Sequence, residues 1–297
     1  MPAPNPKTRT YFILAPREMS EARVRELIRT LLQKAKGGRV IFGIAEEPYV
    51  LGYENQPQFR TLKPDYVNTL VKRASESHTS PLQVLTYSQK DGVKVIQNLD
   101  FTHAIVINGS FARSFHLRDE YQAIHAKGAK LKFLSPFLDE AEAQAYAKSY
   151  AESMPAGDET TDIQKLLNQE AIKGFDNAFQ NAAILIKAGK ILACVHNTIV
   201  PYATYAWHHG AERERHLCQS GDSSHYDTCH AETAALIQAG PAAKGADLYC
   251  RTFPCPQCAR NLIHAGVKSV SYQLDFGDPY GYTLFKAAGI SCKKMEE

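Results

Sequence analysis

Two short segments hold residue types whose spacing can do chemistry: Cys229-His230-Ala231-Glu232 and Phe253-Pro254-Cys255-Pro256-Gln257-Cys258. His230, Cys255 and Cys258 form a nitrogen-and-two-sulfur ligand set suited to zinc. Three protein ligands leave the fourth tetrahedral position to water, as a catalytic zinc requires. Glu232 lies two residues after one ligand and is a candidate general acid and base. A zinc so held makes water reactive near neutral pH, and Glu232 would move its protons. Blander roles exist for the parts. Cys-x-x-Cys alone also serves structural zinc or redox chemistry, and a glutamate near a helix start also complements the helix dipole.

These residues need elements to aim them. Helical spacing is expected from about His230 to Ala239 and from Pro256 to Ala265, with a strand at Asp247–Thr252 between them. Cys255 and Cys258 then sit three apart at a helix N-terminus, where free N–H groups and the dipole favour thiolates. A hairpin is expected at Ala183–Lys187 and Lys190–Val195 around Ala188-Gly189. A helix is expected at Asp162–Gln180, a strand at Lys268–Leu274 and a helix near Tyr282–Ala288, before a short final strand.

The first half reads as a different layer. Strands are expected at Tyr11–Ala15, Val40–Ile44, Leu82–Tyr87, His103–Asn108 and Leu131–Leu134. Helices are expected at Ser20–Lys36 (Ser20 as N-cap, Gly37-Gly38 as stop), after Pro64, at His116–Ala126 and at Asp139–Ala151. This alternation implies an α/β, Rossmann-like layer with a mainly parallel sheet. No Gly-rich phosphate loop is present, and Gly109-Ser110 reads as a turn. Residues 152–160 are polar with Pro and Gly and read as a linker. The expected division is thus 1–151, of regulatory or nucleotide-binding role, and 161–297, which carries the zinc motif.

Composition restricts the class. The chain has 297 residues, 44% hydrophobic, and a net charge of +3, which gives no nucleic-acid surface. No apolar run reaches a membrane span. Met1–Pro6 carries no signal-peptide pattern, so a cytoplasmic protein is expected. All seven cysteines fall in the second half, an odd clustered number that points to metal or buried thiols rather than disulfides.

Residues 160–297 resemble the cytidine/deoxycytidylate deaminase superfamily, most of all its deoxycytidylate (dCMP) deaminases. The resemblance rests on Ala183–Asn197, Cys229–Leu236, Leu248–Val267 and Asp278–Ile290. It implies a three-layer α/β/α domain around a five-stranded mixed sheet, zinc as cofactor and a homo-oligomer. The implied reaction is hydrolytic deamination of a free cytosine nucleotide, dCMP to dUMP and ammonia. It further implies that Asn197 contacts the substrate sugar, with Ala231, Thr252, Phe253 and Pro254 beside it; strand-to-loop capping is the alternative role for Asn197. Thr198 and Ile199 follow Asn197 where the family usually has Gly, a departure that bears on phosphate recognition. Some relatives bind a second, structural zinc, for which His208, His216, Cys218 and His225 of the insert are candidates, although their spacing matches no named pattern. Arg213 and Arg215 are candidates for a 5′-phosphate or for a solvated charged face. Two rival functions stay open: a deaminase acting on RNA, single-stranded DNA or another base, and a non-catalytic nucleotide sensor.

Overall fold

The computed structural model describes residues 8–35, 37–47, 49–51, 64–76, 81–153, 161–176, 179–220, 222 and 225–296. The chain divides into two compact units, 1–146 with 204–227, and 147–203 with 228–297. The expected linker falls largely on residues 154–160, outside the described residues.

The first unit alternates β1 (Tyr11–Leu14), α1 (Glu21–Ala35), β2 (Val40–Ala45), α2 (Pro64–Glu76), β3 (Leu82–Tyr87), α3 (Gly92–Asn98), β4 (His103–Ile107), α4 (Asp119–Ala126) and β5 (Lys130–Leu134). Its five strands pair in the order β3-β2-β1-β4-β5, all parallel. Side chains alternate faces along each strand. Ile13, Phe42 and Ile105 join Leu27, Leu31 and Val67 of α1 and α2. Phe12, Ile41 and Val106 meet Ile96 and Ile124 of α3 and α4 on the other face. Both faces are therefore covered, which is why the strands read as continuous apolar runs. Ser20 caps α1, its Oγ accepting from Arg23 N at 3.1 Å, and Gly37 follows at φ +85°.

Helix α5 (Glu140–Ser153) then leads to α6 (Ile163–Ala171), β6 (Ala182–Lys187), β7 (Lys190–His196) and β8 (Thr198–Ile199). Ala188 and Gly189 both take positive φ between β6 and β7, as a tight two-residue hairpin requires. Next comes the His-rich insert with α7 (Tyr205–His209) and α8 (Glu212–Arg215), then β9 (Thr228–Cys229), α9 (Ala231–Ala239), β10 (Asp247–Thr252), α10 (Pro256–Ala265), β11 (Ser269–Leu274), α11 (Tyr280–Ala287) and β12 (Ser291–Lys294). The second sheet runs β12-β11-β10-β6-β7, antiparallel at β6 and parallel from β10 to β12. Helix α6 covers one face through Leu167 and Ala171. Helices α9, α10 and α11 cover the other through Ala235, Leu262 and Phe285.

Three sequence expectations change. Helix α6 stops at Ala171, not Gln180. Gly174 approaches Asn197 so closely that a Cβ there would lie 3.3 Å from its carbonyl oxygen, and Phe175, Asp176 and Gln180 are buried. Helix α4 begins at Asp119 rather than His116, because Phe115–Leu117 forms a 3-10 turn. The insert, expected within 161–297, clusters with the first unit at 204–227. Among the described residues no helix is long and apolar enough to cross a membrane.

Candidate active site

Helices α9 and α10 bring the two motifs together at their N-termini. His230 is the N-cap of α9 and Cys255 the N-cap of α10. Pro256 fits the first turn of α10 because its missing N–H is not needed there. His230 Nδ1 lies 3.6 Å from Cys255 Sγ and 3.4 Å from Cys258 Sγ. Tetrahedral zinc with ordinary Zn–N and Zn–S bonds separates such atoms by about 3.6 Å. All three ligand atoms lie within 4.8 Å of one another, so the group fits zinc. The Cys255 thiol is held below its ordinary value, first by its hydrogen bond with the Cys258 side chain, with His230 and the Cys258 N–H acting in the same sense.

Glu232 sits one helical step inside, 2% exposed. Burial pushes its carboxyl up to about 7, so in this environment it holds or releases a proton near neutrality. Asn181 positions it. Asn181 Nδ2 donates to Glu232 Oε2 at 3.4 Å, while its Oδ1 accepts from Thr252 N at 2.9 Å. One amide therefore ties the Glu232 carboxylate to the end of β10. Thr233 lies 3.7 Å from Cys258 Sγ and accepts from Asn261 at 3.2 Å.

The remaining expected residues separate into groups. Asn197 is 4% exposed; its Oδ1 accepts from Ala231 N at 2.9 Å and its Nδ2 donates to Phe179 O at 2.8 Å. It thus fixes the start of α9. Ala231, Thr252 and Pro254 are buried beside the ligands. Phe253 departs from expectation. Its ring turns into the core, stacked on Tyr282 at 3.7 Å with edge contacts to Tyr272 and Phe285. Gly281 makes this packing possible, since a Cβ there would lie 2.8 Å from Pro254 O.

In the insert, Cys218, Asp222 and His225 present ligand atoms within 4.8 Å of one another, as do Glu212, His216 and His225. His208 is not among them; its Nδ1 bonds Ser135 Oγ at 2.7 Å. Arg213 donates to the carbonyls of Asp222 and Gln219, and Arg215 to that of His209, so both brace the insert. Sequence reasoning did not find Asn181, Thr233 or Asp176. Asn181 precedes β6 with no helical or strand period to mark it, and its role depends on pairing with β10. Asp176 is buried and its charge acts on His230, but it stood in a segment read as helix.

A three-layer unit with a His-x-Glu and a Pro-Cys-x-x-Cys at facing helix N-termini is the framework of a zinc-binding deaminase domain. Residues 160–274 match the family model of the cytidine and deoxycytidylate deaminase zinc-binding region. The chain is 38% identical over 73 residues to ComE operon protein 2 of Bacillus subtilis, covering 23% of this chain and 39% of that one. It is 30% identical over 118 residues to the deoxycytidylate deaminase of Saccharomyces cerevisiae, covering 38% of this chain and 36% of that one. It thus spans well under half the length of these two curated relatives. The crystal structure of dCMP deaminase from the cyanophage S-TIM5 is similar at a TM-score of 0.32 and 21% identity, over 51% of this chain and 98% of that one.

Proposed function

We propose that the C-terminal unit is a zinc-dependent hydrolytic deaminase of a free cytosine nucleotide, converting dCMP to dUMP and ammonia. The observation that carries the reading is the buried Glu232 carboxylate, held by Asn181 beside the His230, Cys255 and Cys258 ligand set. Zinc bound there supplies the Lewis acidity that makes water a nucleophile at neutral pH. Glu232 would take one proton from the attacking water and deliver it to the ring nitrogen, then take the second from the resulting hydroxyl and pass it to the leaving amine. The water oxygen becomes the new carbonyl, the C–N bond breaks, and the nitrogen leaves as ammonia. Asn197 is proposed to meet the sugar from its buried position at the start of α9, with Ala231, Thr252 and Pro254 lining the base.

Residues 1–151 are proposed to form, together with the insert at 204–227, a Rossmann-like domain of regulatory or nucleotide-binding role, with 152–160 as linker. The protein is proposed to act in the cytoplasm as a homo-oligomer. Zinc-loaded protein is incubated with cytosine and adenine nucleosides, nucleotides and oligonucleotides, and ammonia is measured. Release from dCMP above all others is expected. Preference for an oligonucleotide would move the reading to nucleic-acid editing, and no release from any would leave a sensor.

A further inference from the structure

The zinc ligand set places two sulfurs in the protein interior, with Cys255 5% and Cys258 2% exposed. As metal ligands both are thiolates. A buried anion needs hydrogen-bond donors around it. The two sulfurs obtain theirs differently. Cys255 is the N-cap of α10, and its Sγ accepts from Cys258 N at 3.4 Å. That donor comes with the Cys-x-x-Cys spacing itself, because the first N–H groups of a helix have no partner within it. The same spacing does nothing for the sulfur of Cys258, which lies inside the first turn. That sulfur faces half-buried Thr233 of α9 instead, with Oγ1 3.7 Å away.

The residues behind Thr233 set the direction of that contact. Asn261 Nδ2 donates to Thr233 Oγ1 at 3.2 Å, and Gln257 Nε2 donates to Asn261 Oδ1 at 3.3 Å. Gln257 thus fixes which end of the Asn261 amide faces Thr233. With its oxygen accepting from Asn261, the Thr233 hydroxyl has its own hydrogen to give, and a thiolate can only accept. The three side chains form a relay that points one way, from Gln257 to Asn261 to Thr233 to Cys258 Sγ.

Helical spacing makes the relay possible. Thr233 lies three residues after His230 on α9, and Asn261 three after Cys258 on α10, so each stands one turn past a ligand and on its face. Gln257 and Asn261 are four apart on α10 and are neighbours for the same reason. Successive donors in such a chain polarise one another, so the last bond gains from those behind it. That last bond falls on a metal ligand. A hydrogen bond there draws charge from the sulfur, and partners of this kind orient a ligand and tune the metal it holds.

We propose that Thr233 is a positioning residue for the zinc centre: its hydroxyl, oriented by Asn261 and Gln257, donates to Cys258 Sγ, holds that thiolate toward the metal and withdraws charge from it. The proposal rests on the zinc ligand set and needs no choice of substrate, so it goes beyond the deaminase reading.

The test is read without substrate. The full chain is loaded with cobalt(II) in place of zinc, and the sulfur-to-cobalt charge-transfer band is recorded. Zinc affinity is measured by competition with a chelating dye. Thr233→Val keeps the shape and removes the hydroxyl. A thiolate that loses a hydrogen bond gives up an electron more easily, so the band is expected to move to lower energy. Zinc is expected to be held about 10- to 100-fold more weakly. Thr233→Ser keeps the hydroxyl and is expected to restore the wild-type band and affinity. Asn261→Leu leaves the hydroxyl but not its orientation, and is expected to shift the band the same way by a smaller amount. An unmoved band in Thr233→Val would overturn the proposal. So would a Thr233→Ser protein that behaves like Thr233→Val, since the methyl packing and not the hydroxyl would then matter. If Thr233→Val does not fold, an unmoved band in Asn261→Leu overturns the relay. Ammonia release is followed on the same wild-type protein. A shifted band in Thr233→Val beside a wild type that releases no ammonia would keep the role of Thr233 and remove the deaminase reading alone.

Discussion

Glu232 and Asn181 form one device. A buried carboxyl pushed up to about 7 is suited to take and return protons, and the amide of Asn181 holds it in place. Glu232→Gln keeps the size and the hydrogen-bond capacity but cannot ionise. Ammonia release is expected to fall ~10²–10⁴-fold, with zinc content and melting temperature close to wild type. If Glu232 only complemented the helix dipole, the substitution would cost roughly 0.3–1 kcal/mol of stability and leave turnover alone. Asn181→Ala removes a hydrogen bond to the carboxylate, an interaction of roughly 1.5–3 kcal/mol, or about 10- to 100-fold in kcat. As Asn181 is a positioning residue, the pH profile of kcat is expected to move with little change in KM. An unmoved profile with only a lower melting temperature would reduce Asn181 to a brace for Thr252.

At the scale of elements, the metal centre is the meeting of two helix N-termini. Cys255→Ala removes both a ligand and the N-cap of α10, and metal analysis is expected to show loss of one zinc equivalent. A further equivalent that survives Cys255→Ala but is lost on His225→Ala would assign a second metal to the insert. Helix α6 is tied to the sheet by Glu170, whose Oε1 meets His196 Nδ1 and whose Oε2 meets Lys173 Nζ, each at 2.7 Å. Burial pushes the Glu170 carboxyl up, but the His196 and Lys173 hydrogen bonds outweigh it and leave it below its ordinary 4.5. A carboxyl lowered on folding stabilises the fold fully above the unfolded value and loses that contribution as pH falls through the folded one. The melting temperature of wild type is therefore expected to drop more steeply below pH 4.5 than that of Glu170→Gln; equal slopes would remove the linkage. The ligand set and the strands of the two five-stranded sheets were legible in the sequence because ligand spacing and apolar runs are local; the two-residue β8 and β9 were not. The end of α6 was not, since the segment past it is placed against residues far off in sequence, Gly174 lying close to the Asn197 carbonyl. Helices α7 and α8 also escaped, being five and four residues long with too few turns to show a period.

At the scale of the molecule, the insert alters what a break in the chain can do. Residues 204–227 follow the linker in sequence but pack within the first unit. His116 Nδ1 meets Glu214 Oε2 at 2.7 Å, and His116 Nε2 meets the Cys218 carbonyl at 2.8 Å; both the His116 and Glu214 side chains are buried. Thr204 Oγ1 donates to Ala143 O at 2.8 Å, and Trp207 packs near Tyr146. The polar stretch with Pro and Gly at 152–160 is the expected cleavage site in limited proteolysis. Two independent domains on a string would part after that cut. Here the C-terminal fragment carries part of the first unit's own core, so the two fragments are expected to co-elute on gel filtration under native conditions and to separate in denaturant. Leaving a buried hydrogen-bonding group without its partner costs roughly 1–3 kcal/mol. Glu214→Ala is therefore expected to loosen the nicked complex and release the N-terminal fragment, while the intact variant stays folded because the two segments remain covalently linked. Fragments that separate freely from nicked wild-type protein would show that the insert does not hold to the first unit in solution, and would restore a boundary set by the linker alone.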